Sequence, residues 1–372
     1  MKTNLLSATK LLFLLVLSSM TVAPLLAQEE ESLSIFDYMI ESGFNEAVIT
    51  TDLDLLLSDR DGEPAYQAAD LLLTNDNGQM ESWDVEVKTR GKYRRRTCDF
   101  APIKMNFSKS ELRAAGLAEF DKYKLVTHCE DNRYKAETAV LKEHLAYQMY
   151  QVITPYSYRV HLLRVRYVDS KGNLPTERRH AFLIESDKEL EERLDVVECE
   201  DCLGLPPSAF DPEAENVHAD FQYMIGNADF NLPMLRNVKL FRDERSQKYI
   251  PIAYDFDFSG LVYAGYAIPS PNLGQKQIGD RVFLGFQVED SLIEATLNRF
   301  EEKQNELFGL IRQQRQLSGQ ARTEVRTYLN SFFEHLEELQ TASVLRTYSQ
   351  LRQTAPNVVP AGADPEHFGV RR

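Results

Sequence analysis

Between Val48 and Lys88 apolar and polar residues alternate, and turn-forming clusters at Asp59 to Gly62 and Asn75 to Gly78 interrupt the alternation. A repeat of two sends successive side chains to opposite faces of a strand, so the stretch is satisfied by antiparallel strands and hairpins that bury one face. Trp83, Val85 and Val87 share the face that points into a core. Ile103, Met105 and Phe107 repeat the pattern, which leaves Lys104 on the opposite face, polar or lining a cleft. The Trp83 strand runs out into a basic stretch, Arg90-Gly91-Lys92-Tyr93-Arg94-Arg95-Arg96, which also reads as a solvated charge run.

Further along, the period changes. From Glu137 to Gln151, Val140, Leu141, Leu145, Ala146 and Met149 recur at helical spacing, giving one amphipathic helix. Strand-like runs follow at Tyr158 to Val168 and His180 to Ile184, then a Glu-rich helix after Ser186. Cys199 to Glu215 reads as loop, because Pro206, Pro207 and Pro212 oppose regular structure. Ile293, Leu297, Phe300, Leu307 and Ile311 form one packing helix and Thr323 to Leu339 another. A chain of 372 residues exceeds what one core usually serves, so two lobes are expected. The boundaries are 28–185 for a β-rich part, 186–353 for a helical part and 354–372 for a mobile tail.

Residues 1–27 carry Lys2 and Lys10, the apolar run Leu11 to Leu17 and a small-residue exit at Ala27, the pattern of a cleaved signal peptide. Secretion or a periplasmic location is expected, with no transmembrane span. Loss of those two lysines moves the net charge from −15 to −17, which excludes general nucleic-acid coating and requires a local basic patch for any anion. Four cysteines in an oxidising compartment allow three pairings, and sequence does not choose among them. A structural disulfide between Cys199 and Cys202 is favoured over a zinc site drawn from Cys98, His128, Cys129, Cys199 and Cys202, whose spacing is irregular.

The chemistry concentrates between Phe221 and Val262. An apolar helix end runs into Gly226-Asn227-Ala228-Asp229, Asn237 follows, and a hairpin from Val238 to Tyr254 leads to Asp255-Phe256-Asp257. Asp, Asn and Asp brought together by a hairpin offer hard oxygen ligands of the kind Mg²⁺ takes alongside phosphate. As turn residues capping a loop, the same acids would be inert.

Read in order, Trp83-x-Val85-x-Val87-Lys88-Thr89-Arg90-Gly91, the Lys104 strand, Lys122-Tyr123-Lys124-Leu125, the helix from Leu141 to Tyr150, Phe182-Leu183-Ile184-Glu185, Gly226-Asn227-x-Asp229…Asn237 and Ile250-Pro251-Ile252-x-x-Asp255-Phe256-Asp257 resemble the CotH-like atypical kinases. The resemblance implies an α+β, two-lobed protein-kinase-like fold with a β-rich N-terminal lobe and a helical C-terminal lobe. It also implies transfer of phosphate from ATP or another nucleotide, with Mg²⁺ or Mn²⁺, to an exported protein or envelope acceptor. Asp229 would be the catalytic acid. Arg90, Gly91, Lys104 and Glu185 would bind nucleotide, and Asn237, Asp255 and Asp257 the metal. Either Glu137 or Glu143 would pair with Lys104. The catalytic-loop histidine and arginine of ordinary kinases are absent, so a catalytically inactive scaffold or binding protein is the alternative.

Overall fold

The computed structural model describes residues 32–58 and 60–341. The expected signal peptide and the tail beyond Thr354 lie outside the described residues. The chain divides into a unit of residues 1–32 and a unit Leu33–Arg372, and the elements named here belong to the second.

Seven strands make a closed barrel: β1 (Phe44–Thr51), β2 (Gln67–Asn75), β3 (Met80–Thr89), β4 (Ile103–Phe107), β5 (Lys122–Val126), β6 (Val160–Asp169) and β7 (Glu177–Ile184). Their order round the barrel is β1-β2-β3-β4-β5-β7-β6. Neighbours are antiparallel except where β1 meets β6, paired in parallel from Glu46–Arg164 to Thr51–Asp169. The alternation works as the sequence suggests, since Trp83, Val85 and Val87, and Ile103, Met105 and Phe107, are all buried. Inside, Ala47, Ile49, Leu73, Met105, Leu125 and Val165 fill the barrel. Each large side chain taken from water here, Phe107 or Tyr123 for example, contributes about 2–3 kcal/mol.

Closure overturns the expected two-lobed kinase-like fold. A β-sheet lobe of that kind keeps two edges, whereas here the β1–β6 ladder joins them. The physical reason lies in what alternation encodes. A period of two specifies which face of a strand is buried, but not which distant strand pairs with its free edge. The barrel part also holds more helix than the periodicity showed: α1 (Ile35–Glu41), α2 (Leu53–Ser58), α3 (Lys92–Thr97) and α4 (Lys109–Ala114) are too short to display a stripe.

The long helix α5 (Arg133–Ile153) belongs to a second core rather than to the barrel's. Its Leu141, Leu145 and Met149 pack with residues of α7 (Pro212–Ile225), α8 (Asp290–Gln313) and α9 (Gly319–Thr341). Beside these, α6 (Asp187–Leu194) leads into a three-stranded sheet of order β10-β9-β8, built from β8 (Val196–Cys199), β9 (Val238–Asp243) and β10 (Tyr249–Ala253). The proline-rich stretch is less irregular than expected. Pro212 sits in the first turn of α7, where its missing N–H is no loss, and the Asp211 carboxylate accepts from the Ala214 amide at 2.8 Å.

All four cysteines are bonded, Cys98 to Cys129 and Cys199 to Cys202, as the structural-disulfide reading of Cys199 and Cys202 requires and the zinc reading does not. No helix among the described residues is long and apolar enough to cross a membrane.

Candidate functional site

Helix α7 ends at Gly226, whose φ of 65° is left-handed and whose position has no room for a side chain, since a Cβ would strike the Tyr328 hydroxyl. The turn that follows holds Asp229 from several sides. Its amide donates to Asn227 Oδ1 at 2.9 Å, and Asn237 Nδ2 donates both to its carbonyl at 2.6 Å and to its Oδ2 at 2.8 Å. Arg236 pairs with Oδ1. Burial pushes the Asp229 carboxyl up to about 7, against the pull of Arg236, and the nearby charges of Asp257 and Asp255 add to the rise.

The β9–β10 hairpin brings Asn237 and Asp255 together as neighbouring ends. Val238 pairs with Ala253, and the Tyr254 amide donates to the Asn237 carbonyl at 3.2 Å. Both end residues are left-handed, Asn237 at φ 51° and Asp255 at φ 64°, a conformation that Asn and Asp tolerate best among residues with a side chain. The Asp255 amide donates to the Tyr147 hydroxyl of α5 at 2.9 Å, fixing the turn to that helix. Two residues on, buried Asp257 accepts from the Tyr266 hydroxyl at 2.9 Å.

Helix α5 supplies the third acid. Ligand oxygens of Glu143, Asp255 and Asp257 all lie within 4.8 Å of one another. Facing them is Arg94 of α3, with Nη1 3.9 Å from Glu143 and 3.7 Å from Asp255, and Nε 3.7 Å from Asp257. One guanidinium against three carboxylates leaves two negative charges when all are ionised. The carboxyl groups feel that imbalance. Burial, reinforced by Asp255, pushes Asp257 up to about 6, and burial raises Glu143 well above the carboxylate range despite Arg94. Burial alone would lower Arg94, but Tyr266, Asp257, Glu143 and Asp255 outweigh it and raise it. Glu143 Oε1 and Arg94 Nε and Nη1 have no hydrogen-bond partner among the described residues. Three hard, anionic donors with unspent bonding capacity are a set that a divalent ion such as Mg²⁺ or Mn²⁺ accepts.

The barrel wall carries a row of cations. Lys88, Lys104 and Lys124 are register partners on β3, β4 and β5, so they stand side by side on the outer wall of the barrel, about 4.8 Å apart at the backbone. Lys124 is spent on Asp187 at 3.0 Å, and burial lowers it to about 8. Lys88 lies over the Tyr66 ring at 4.5 Å. Lys104 makes no ion pair among the described residues, and burial lowers its pKa, with Lys88, Lys122 and Arg90 adding repulsion and Asp187 opposing. Arg90 lies within electrostatic reach of Lys104 and Lys124 on one side and of Glu143 and Tyr147 on the other, and so connects row and acids.

Of the residues singled out from sequence, Asp229, Asn237, Asp255 and Asp257 are thus gathered, with Arg90 and Lys104 on the flank. Asn237 turns its amide group to Asp229, which makes it an orienting residue for that carboxylate. Gly91 starts α3 at φ 78°, its carbonyl accepting from the Arg95 amide at 2.9 Å. Glu185 is occupied elsewhere, accepting from Arg159 Nε and Arg193 Nε, each at 2.8 Å. Neither candidate glutamate pairs with Lys104. Glu137 lies 3.6 Å from Arg133 and 3.7 Å from His180, and Glu143 faces Arg94.

Sequence reasoning missed Arg94. Within a basic run followed by Cys98, one turn of helix rotates successive arginines to different sides, burying Arg94 and Arg95 and leaving Arg96 half exposed beside Asp61. A glycine before the run was the available signal for such a turn.

Comparison with protein-family models returns no match, and comparison with curated proteins returns no similar sequence. The resemblance to CotH-like kinases therefore rests on the ordered motifs alone.

Proposed function

We propose that the chain is an exported, CotH-like phosphotransferase that uses Mg²⁺ or Mn²⁺ and ATP or another nucleotide to phosphorylate a protein or other envelope acceptor. The observation that carries this reading is an under-neutralised acidic triad, Glu143, Asp255 and Asp257, within electrostatic reach of Arg90, which in turn neighbours Lys104. The reading rests on this site and owes nothing to the fold. Two disulfides support export, since such bonds persist in oxidising compartments.

On this reading the three acids hold the divalent ion. When bound, the ion neutralises charge on the phosphate oxygens. Arg90 and Lys104 take further phosphate oxygens and keep the chain in line. Asp229, whose carboxyl burial pushes up to about 7, would accept the proton of the acceptor hydroxyl as the new oxygen–phosphorus bond forms and the bond to the departing nucleoside diphosphate breaks. Asn237 and Arg236 keep its carboxylate aimed.

The test is thermal stabilisation and calorimetry with a panel of nucleotides, with and without Mg²⁺ or Mn²⁺. Asp255→Asn should abolish metal-dependent nucleotide binding, whereas Asp229→Asn should bind and not transfer. Absence of metal-dependent nucleotide binding to the unmodified protein would hand the case to the second reading, a non-catalytic envelope scaffold. That reading is favoured by one observation: Arg94 and Arg236 already face the acids that catalysis would use.

A further inference from the structure

Arg94 occupies the place that a cation would seek, yet it is not bonded there. Its approaches of 3.7–3.9 Å to the three acids are longer than charge-assisted hydrogen bonds, which close to about 2.7–2.9 Å. Its side chain is 7% exposed, and Nε and Nη1, the atoms aimed at the acids, have no hydrogen-bond partner among the described residues. The hydrogen bond it does make runs away from the acids, from Nη2 to the Thr127 carbonyl at 3.4 Å.

The surrounding chain explains why the guanidinium stays. The Cys98 amide closes α3 on the Arg94 carbonyl at 2.8 Å, and Cys98 is bridged to Cys129, two residues beyond Thr127. The Asp99 amide donates to the Cys129 carbonyl at 2.9 Å. Disulfide and helix end therefore fix the C-terminal side of the turn that presents Arg94, and the Thr127 carbonyl holds its guanidinium. On the acid side the Tyr266 ring lies 5.8 Å from the guanidinium carbon and its hydroxyl is engaged by Asp257.

We propose that Arg94 is an internal counter-cation, clamped by the Cys98–Cys129 bridge, that competes with a divalent metal ion for Glu143, Asp255 and Asp257. The inference rests on the metal reading above and goes beyond it by making metal entry a displacement. A divalent ion binding these oxygens at about 2.1 Å gathers them round itself, and the guanidinium among them must swing aside or face a second positive charge at short range. The site is thus partly neutralised when metal-free, and its affinity depends on what displacement costs.

The experiment uses the exported chain with both disulfides formed and Mn²⁺ alone as the probe, read by calorimetry and by melting temperature. Arg94→Gln should bind Mn²⁺ at least about tenfold more tightly. Arg94→Lys, which keeps a positive charge, should stay within roughly threefold of the unmodified protein. Cys98→Ser with Cys129→Ser should shift affinity in the same direction as Arg94→Gln but less, while Cys199→Ser with Cys202→Ser should not shift it. Metal-free Arg94→Gln should melt below the unmodified protein, and Mn²⁺ should raise its melting temperature by the larger amount. Should Arg94→Gln fold only with metal present, the Lys and the two paired serine variants decide the matter by affinity alone. Equal or weaker Mn²⁺ binding by Arg94→Gln, or no change on removing Cys98 and Cys129, overturns the competition and leaves the metal site standing. Failure of every variant, Arg94→Gln included, to bind Mn²⁺ overturns both.

Discussion

Two clusters of charge are settled in opposite ways. Asp187, at the start of α6, receives Lys124 at 3.0 Å, Lys239 at 2.8 Å and the Tyr158 hydroxyl at 2.7 Å. Burial would raise its carboxyl, but the two lysines outweigh burial and hold it far below the usual range. Glu143, Asp255 and Asp257 share one guanidinium at longer range, and burial wins for Glu143 and Asp257. The Asp187 cluster is matched in charge and partly exposed, whereas Arg94, Glu143 and Asp257 are unmatched and buried. Matched clusters hold a fold together; unmatched ones store unfavourable charge that a ligand relieves.

The largest effect expected from this contrast is on stability. Asp187→Ala leaves the half-buried Lys124 without its carboxylate and Lys239 with Glu198 alone, and should cost about 2–3 kcal/mol in urea denaturation. Asp255→Asn removes one of three crowded acids and should leave the metal-free protein as stable as before, or slightly more so. Similar losses for the two variants would show that the clusters are not different in kind.

A smaller effect is expected from pH. Asp229 and Asp257 have folded pKa values near 7 and 6, above the ordinary aspartate value, so between about pH 4 and those values the folded state holds protons that the unfolded state has released. Stability should therefore rise as pH falls from 7 towards 5, by roughly 1–2 kcal/mol for each of the two groups. Asp187 acts with the opposite sign. Its depressed carboxyl contributes stability above its unfolded value, and that contribution is lost only as pH falls below about 4. Denaturation at a series of pH values should show a maximum near pH 4, and Asp257→Asn should make the neutral limb shallower while leaving the acid limb in place. A neutral limb that persists unchanged in that variant would remove Asp257 from the account.

The contrast also marks what the sequence discloses. Strand alternation around Trp83 and Met105 and the helical stripes of α5 and α8 are local, so strand and helix types were legible. Barrel closure through Glu46–Thr51 and Arg164–Asp169 was not, because parallel pairing over more than a hundred residues leaves no mark in either strand. At the site, Asp229, Asn237, Asp255 and Asp257 were legible as polar residues at turns next to apolar runs. Glu143 was seen on its helix only as one of two candidate partners for Lys104, with Glu137, and Arg94 was passed over as part of a charge run. Both depend on which faces of α3 and α5 meet, a tertiary fact. Asp187 carried no sequence signal beyond its place after the helix-capping Ser186.

The smallest effect sharpens the comparison most, because it concerns a charge that belongs to neither cluster. Lys104 stands between Lys88 and Lys124 on the neighbouring strands, and like charges directly opposite one another destabilise a sheet. Burial lowers its pKa and the neighbouring cations reinforce that, so the charged form is disfavoured in the fold. Methionine keeps most of the aliphatic stem and removes the charge. Lys104→Met should therefore change stability by no more than about 0.5 kcal/mol, in the stabilising direction if at all. The same change should weaken binding of pyrophosphate in the presence of Mg²⁺ several-fold, since a half-buried ammonium with no ion pair among the described residues is the group an incoming phosphate would meet. A loss above about 1 kcal/mol in urea denaturation would make Lys104 a structural residue. Unchanged pyrophosphate affinity would remove it from the site.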